Sequence, residues 1–372
     1  MPSLPPIIFL TSALFIIYVL VGYPLLLHLL ARRFERPIRK HRLSKTVTVL
    51  LPVHNGERWI RKKLESILAL EYPRELMEIL VLSDGSDDRT EPIVEEFTAQ
   101  DIHLLRRPHC GKAATLSFGI AQARGEILFF TDVRQPLDPQ SLSNLVACFA
   151  DPSVGVASGE LVILKGGKHE ELDVGLYWRY EKWIRKNLSR MDSVMGATGC
   201  IYAMRRELAT PLPPGVLLDD VYLPLAAFFR GYRVVLEESA RAFDYPFSLD
   251  SEFRRKVRTL AGVYQVIADY PALLGPSNRM WCHFTSHKLA RLFVPYAFVL
   301  LAISSGSLPG VWSSLALAAQ IVFYGMALTD LWVPQSSPLK RFTSPPRTFV
   351  VLMVAAVCAI SIVFVPSSEF WK

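Results

Sequence analysis

Three acidic sites and one lysine stand where a fold can place chemistry. Asp84 ends the run VLSD, Asp132 ends FFTD, and the pair Asp219-Asp220 follows an apolar stretch in VLLDDVYLP; Lys112 follows Gly111. A carboxylate can accept hydrogen bonds, hold a cation or take a proton from a hydroxyl. Asp also favours turns and helix N-caps, so each acid taken singly has a purely structural reading. Gly111-Lys112 lacks the upstream Gly and the following Ser/Thr of a P-loop, and the chain has no G-x-G-x-x-G. His283 and His287 lie four apart, as metal-binding pairs do, but without the Glu of an H-E-x-x-H or an evident third ligand. The five cysteines (110, 148, 200, 282 and 358) are scattered and form no C-x-x-C. They read as reduced thiols rather than a disulfide framework or a zinc site.

The acids need elements to carry them. Residues 46–53 (TVTVLLPV), 78–82 (EILVL), 103–106 and 126–131 (EILFFT) read as strands. Between them, 57–70, 90–100 and 112–123 carry helical spacing, with Ile60, Leu64, Ile67 and Leu68 on one face of the first. This alternation predicts an α/β class, a mostly parallel sheet with helices on both faces. Ligands in such sheets bind beyond the carboxyl ends of the strands, where Asp84 and Asp132 fall.

Composition bounds the rest. The chain has 372 residues, 41 Lys+Arg against 34 Asp+Glu, and 51% hydrophobic residues. Its mean hydropathy of +0.27 is high for a soluble protein and argues against disorder and against a purely cytosolic enzyme. Arg32, Arg33, Arg36, Arg39, Lys40, Arg42 and Lys45 face only Glu35, so one short stretch carries +6 of the net +7. Charge confined beside an apolar run fits the positive-inside rule and not a nucleic-acid surface. Residues 1–31 and 292–329 contain no Asp, Glu, Lys or Arg. Spans are expected at about 7–30, 290–304, 311–331 and 348–366, the middle pair divided by SSGSLPG. Lys340, Arg341 and Arg347 place the last loop inside. The expected organisation is a membrane helix (1–31), a basic linker (32–45), a catalytic domain (46–245), interfacial amphipathic helices (246–289) and three membrane helices (290–368). Both termini would lie outside, with the large domain in the cytoplasm of a bacterial inner membrane.

Five segments, in order, carry a resemblance. LLPVHNGERWI (50–60), VLSDGSDDRT (81–90), CGKAATLSFGIAQARGEILFFTD (110–132), GATGCIYAMRR (196–206) and LLDDVYLPLAAFFRGYRV (217–234) resemble the motifs of membrane-embedded family 2 glycosyltransferases. These have a GT-A domain and include cellulose, hyaluronan and chitin synthases. The resemblance implies a GT-A fold and inverting transfer of a sugar from a nucleotide sugar, commonly a UDP-sugar. The acceptor would be a lipid, a lipid-linked glycan or a polysaccharide. It places Pro52, His54, Asn55, Glu57, Asp84, Lys112, Asp132 and Arg134 around the donor, with Asp84 and Glu57 accepting from base or ribose and Lys112 near the diphosphate. Thr198 and Gly199 fall on the acceptor side. Asp220, the second acid of the family's E-D pair, is the implied general base and Asp219 its neighbour, though the two could exchange roles.

Two departures matter. The D-x-D motif reads Asp132-Val133-Arg134, so the usual second metal ligand is an arginine. Asp132 alone could hold Mg2+ or Mn2+ with the diphosphate, Arg134 could bind phosphate in the metal's place, or Arg134 could point to solvent. Reduced metal dependence is the expectation. The Q-x-x-R-W of processive synthases is answered only by Arg255-Lys256-Val257-Arg258-Thr259; Thr259 cannot stack on a sugar, while Arg255 and Arg258 could reach the diphosphate. The alternative function is a GT-A protein that binds a nucleotide or membrane partner without turnover.

Overall fold

The computed structural model describes residues 4–164, 169–245, 249–334, 337–367 and 370, without side chains for 169–178, 249–250 and 252. The chain forms two compact units. One comprises 34–164 and 188–245; the other comprises 1–33, 165–187 and 246–372.

The first unit is built on a seven-stranded sheet: β1 (Val47–Val53), β2 (Met77–Asp84), β3 (Ile102–Arg107), β4 (Ile127–Thr131), β5 (Val154–Ile163), β6 (Ile201–Arg205) and β7 (Arg233–Asp244). The spatial order is β3-β2-β1-β4-β6-β5-β7. β1, β2, β3 and β4 run parallel, as expected, while β6 lies antiparallel to both β4 and β5. β1 and β4 are neighbours across the point where strand order reverses, which opens a crevice beyond their carboxyl ends. Both strands are apolar almost throughout because helices cover both faces of the sheet. The pairing of β1 with β4 stops at Leu50, two residues before Pro52, so the missing Pro52 N–H removes nothing from that ladder. Three helices matter for the site: α1 (Ile60–Leu68), α2 (Lys112–Gln122) and α3 (Asp219–Phe229).

The basic linker lies along this unit as a strap. Arg36 pairs with Asp192 at 2.6 Å, Lys40 with Glu237 and Lys45 with Glu126. Arg233 donates to the Arg36 carbonyl at 2.9 Å. Arg36, Lys40 and Lys45 are thus each paired with a carboxylate of the folded domain.

The second unit has, among the described residues, four helices long and apolar enough to cross a membrane: Leu4–Arg33, Trp281–Ser305, Val311–Thr329 and Lys340–Val363. Side chains such as Leu10, Leu14, Ile303 and Ile321 are more than half exposed, an apolar surface that suits lipid rather than water. The second helix starts about nine residues earlier than the sequence suggests. Lys288 and Arg291 lower the local hydropathy, but Arg291 is paired with Glu181 at 2.7 Å. The His283/His287 pair is occupied by protein. His283 Nδ1 lies 3.2 Å from the Tyr23 hydroxyl, and His287 Nε2 accepts from Arg291 at 2.9 Å. Buried Asp330, just after the helix Val311–Thr329, accepts from the start of the last helix: Lys340 at 2.9 Å, Thr343 at 2.6 Å and Arg347 at 3.1 Å. The helix Leu249–Asp269 carries Arg255 and Arg258 in this unit. The Thr259 hydroxyl donates back to the Arg255 carbonyl at 2.8 Å.

Candidate active site

The loop after β1 and the loop after β2 are laced together. His54 Nδ1 donates to the Asp84 carbonyl at 2.8 Å. Asn55, at φ 50°, takes the left-handed conformation that Asn tolerates. Its Oδ1 accepts the Asp87 N–H at 3.0 Å and its own N–H reaches Ser86 Oγ at 3.1 Å. Glu57 and the 88–89 turn cap each other: Glu57 N–H donates to Asp88, and Arg89 N–H donates to Glu57 Oε2, each at 3.0 Å. Glu57 and Asn55 therefore brace the loop pair. Ser83 is buried and donates to Glu91 at 2.6 Å.

Asp84 pins the end of β2 to the start of α2. Its Oδ1 accepts the Cys110 N–H at 2.7 Å and its Oδ2 the Gly111 N–H at 3.0 Å. His109 Nδ1 is 3.2 Å from Oδ2. Burial pushes this carboxyl up, but the hydrogen bonds from Cys110 and Thr115 and the nearby His109 outweigh it, and the net shift is downward. The two N–H donors leave acceptor capacity on the carboxylate for a base or ribose. The His54 and His109 rings lie 4.4 Å apart beside it. Gly85 has φ 65°, and a Cβ there would sit 2.6 Å from the His109 nitrogen, so only glycine fits the turn.

Lys112, at the first position of α2, is the centre of charge. Its Nζ lies 3.0 Å from Asp132 Oδ1 and 3.2 Å from Asp219 Oδ1. Burial alone would lower its pKa; Asp132, Asp219 and Asp220 together raise it above the ordinary lysine value, so it stays charged at neutral pH. Asp132 extends from β4 and Asp219 opens α3, so one ammonium joins three elements. The acids at the α3 N-terminus also gain from the helix dipole.

Asp220 is approached by the 196–199 turn. Ala197 N–H donates to the Asp220 carbonyl at 2.7 Å. Thr198 is fixed by Ser158, whose Oγ accepts its N–H at 2.8 Å. Gly199 packs against the Asp220 carboxylate itself.

Arg134 turns toward the protein. Its Nε donates to Asp244 Oδ1 at 3.0 Å, and its guanidinium lies 5.6 Å from the Trp59 ring centroid. Gln135 Nε2 holds the other oxygen of Asp244 at 2.7 Å. The expected metal position thus offers one carboxylate, Asp132, already facing Lys112. Among the described residues no group of three or more His, Cys, Asp or Glu converges as a metal site. This donor set does not by itself fit a tightly held ion.

The first unit therefore brings together Pro52, His54, Asn55, Glu57 and Asp84 along one rim, and Lys112, Asp132, Asp219, Asp220, Thr198 and Gly199 along another. His109, Cys110, Asp244 and Lys63 were not singled out by the sequence. His109 and Cys110 immediately precede the Gly-Lys pair, a position from which they could have been suspected. Asp244 closes a strand 110 residues from Arg134 and carries no local signal.

Comparisons with known proteins agree with this architecture. Residues 48–210 match the family described as Glycosyl transferase family 2. The chain is 30% identical over 267 residues to the "Probable glycosyltransferase YdaM" of Bacillus subtilis, covering 64% of this chain and 61% of that protein. The poly-β-1,6-N-acetyl-D-glucosamine synthase of Staphylococcus epidermidis is 29% identical over 352 residues, covering 90% of this chain and 80% of that protein. Among solved structures, the mannosyltransferase PcManGT of Pyrobaculum calidifontis, in complex with GDP-Man and Mn2+, superposes with a TM-score of 0.69. That match has 23% identity over 93% of this chain and 98% of the other, a likeness of fold. With the family match and the fold likeness in agreement, residues 48–210 form a Glycosyl transferase family 2 domain on a GT-A sheet.

Proposed function

We propose that the protein transfers a sugar from a nucleotide sugar, a UDP-sugar first among them, to a glycan or lipid-linked acceptor at a membrane, inverting the anomeric carbon in one displacement. The observation that carries this reading is the Lys112 ammonium between Asp132 and Asp219, beside Asp220. In inverting transfer the acceptor hydroxyl needs a carboxylate base, and the departing diphosphate needs positive charge. Asp220 takes the hydroxyl proton as the oxygen attacks the anomeric carbon and the bond to the diphosphate breaks. Lys112 is a fixed cation beside the donor, already paired with two carboxylates. Asp219 holds Lys112 in place. Asp84, with the His54–His109 pair, receives the base.

The four apolar helices and the basic stretch at 32–45 support a membrane-bound enzyme with its catalytic domain on the cytoplasmic side. Divalent metal is a weak activator in this account, because Arg134 is directed to Asp244 and Asp132 is the one carboxylate of the motif. A second reading, polymer synthesis, draws on the likeness to the Staphylococcus epidermidis synthase. Against it stands Thr259, which has no ring to stack and turns its hydroxyl onto its own helix.

The test is nucleotide release by the purified full chain in detergent or nanodiscs, given UDP- and GDP-sugars with a lipid extract. Release from one donor, dependent on acceptor, is the expected result. Binding of a donor without release, across the whole panel, overturns the reading in favour of nucleotide binding without turnover. Product length then separates single transfer from polymer synthesis.

A further inference from the structure

The buried face of α1 consists of Ile60, Leu64 and Ile67, and Lys63 falls on the same face. Its side chain is 1% exposed, although its neighbours Arg61 and Lys62 are in water. An ammonium in an apolar interior is expensive, and burial lowers its pKa to about 7 against the favourable pull of Asp132 nearby. Its hydrogen bonds go to Thr131 Oγ1 at 2.6 Å and to the Gln135 carbonyl at 2.5 Å, neither of them a carboxylate. Those two residues are the two ends of the turn that carries Asp132 and Arg134.

The connection continues on both sides. Thr131 Oγ1 donates to the Cys200 carbonyl at 2.8 Å, immediately after Thr198-Gly199. Gln135 Nε2 holds Asp244, which also holds Arg134. One buried cation is thereby joined to the donor-side turn and, through a single hydroxyl, to the turn that packs against Asp220.

We propose that Lys63 is a positioning residue for sugar transfer: its ammonium clamps the 131–135 turn from beneath and sets the distance between Asp132 and the Gly199–Asp220 side of the site. This rests on the transferase reading. A stability role does not account for Lys63, because burying an amine with no carboxylate partner costs more than its two hydrogen bonds return. A positioning role does, since a displacement of about 1 Å at a reacting centre lowers rates by about 100-fold.

The experiment compares the full chain with Lys63→Met, Thr131→Val and the double variant in nanodiscs, reading thermal stability, donor kcat and KM, and amide hydrogen exchange. For Lys63→Met the expected result is an unchanged or raised Tm, a fall of about 10- to 100-fold in kcat/KM, and faster exchange in 131–135 and 198–201. Thr131→Val gives the same pattern more weakly, and the double variant is no worse than Lys63→Met alone, as partners in one network require. Wild-type kinetics in Lys63→Met, a lowered Tm with normal kinetics in the folded fraction, or additive losses in the double variant would overturn the proposal. Hydrogen exchange decides it independently of turnover. If the wild-type chain transfers no sugar, the transferase reading fails; if exchange in Lys63→Met is unchanged, the clamp fails.

Discussion

Gly199 leaves the space that the Asp220 carboxylate occupies: a Cβ built on Gly199 would lie 2.9 Å from Asp220 Oδ2 and 3.3 Å from its carboxyl carbon. The contact joins the GATG turn to the start of α3, so the conformation of one fixes the carboxylate of the other.

Gly199→Ala should therefore displace the Asp220 carboxylate without removing it. The expected loss in kcat is about 10- to 100-fold, with nucleotide affinity nearly unchanged, because the donor rim at Asp84 is untouched. Steady-state kinetics beside nucleotide-binding calorimetry checks the split. A loss in affinity equal to the loss in rate would mean that Gly199 serves the donor instead.

Lys112→Met leaves Asp132 and Asp219 facing each other without a cation. Stability should fall by about 1–3 kcal/mol, less than for a fully buried pair because Asp132 is partly exposed. UDP affinity should drop far more than uridine affinity, since the lost charge serves the diphosphate. The raised pKa of Lys112 means its contribution is fully present below the ordinary lysine value and is lost only as pH rises through its higher folded value. Between pH 6 and pH 9 the deficit of the variant should be flat, as thermal melts across that range would show.

Asp84→Asn tests the pin between β2 and α2. The carboxyl is held below its ordinary value, so its contribution is present above about pH 4 and disappears as pH falls through the folded value. The variant should lose about 1–3 kcal/mol at pH 7, its disadvantage shrinking below pH 4. Denaturant melts at pH 7 and pH 3.5 compare the two.

Arg134→Asp restores a second acid beside Asp132 and sets it against Asp244. Activity of the parent should survive chelation in part, whereas this variant should become strictly dependent on added Mn2+ and lose stability because buried Asp244 loses its cation. Titrating Mn2+ after EDTA treatment reads both. Equal and complete loss on chelation in parent and variant would restore an ordinary metal site.

β1, β2 and β4 were legible because they are buried on both faces and read as apolar runs, whereas β5 and β7 were not singled out. The helix starting at Lys112 was legible in the helical spacing of 112–123. The antiparallel β6 was not, since its direction is set by the turn at Thr198–Ile201 and by the long helix His169–Met191 before it. Asp84, Lys112, Asp132 and Asp219 stand out in the sequence, and the structure joins the last three through the Lys112 ammonium. Lys63 was hidden in an Arg-Lys-Lys run that looks like a solvated face; only three-dimensional packing shows that its third cation is inside. The helix beginning at Trp281 was obscured for the complementary reason: Arg291 looks like a boundary until Glu181 arrives from a distant segment to neutralise it.

The most direct measurement is donor turnover by the full chain with Asp220→Asn beside Asp219→Asn, at saturating donor and acceptor. Asp220 as general base predicts a fall of about 100- to 10,000-fold in kcat for Asp220→Asn with nucleotide affinity retained. Asp219→Asn should chiefly weaken diphosphate binding through Lys112. Retained turnover in Asp220→Asn, with the large loss in Asp219→Asn instead, would contradict the account and exchange the two roles.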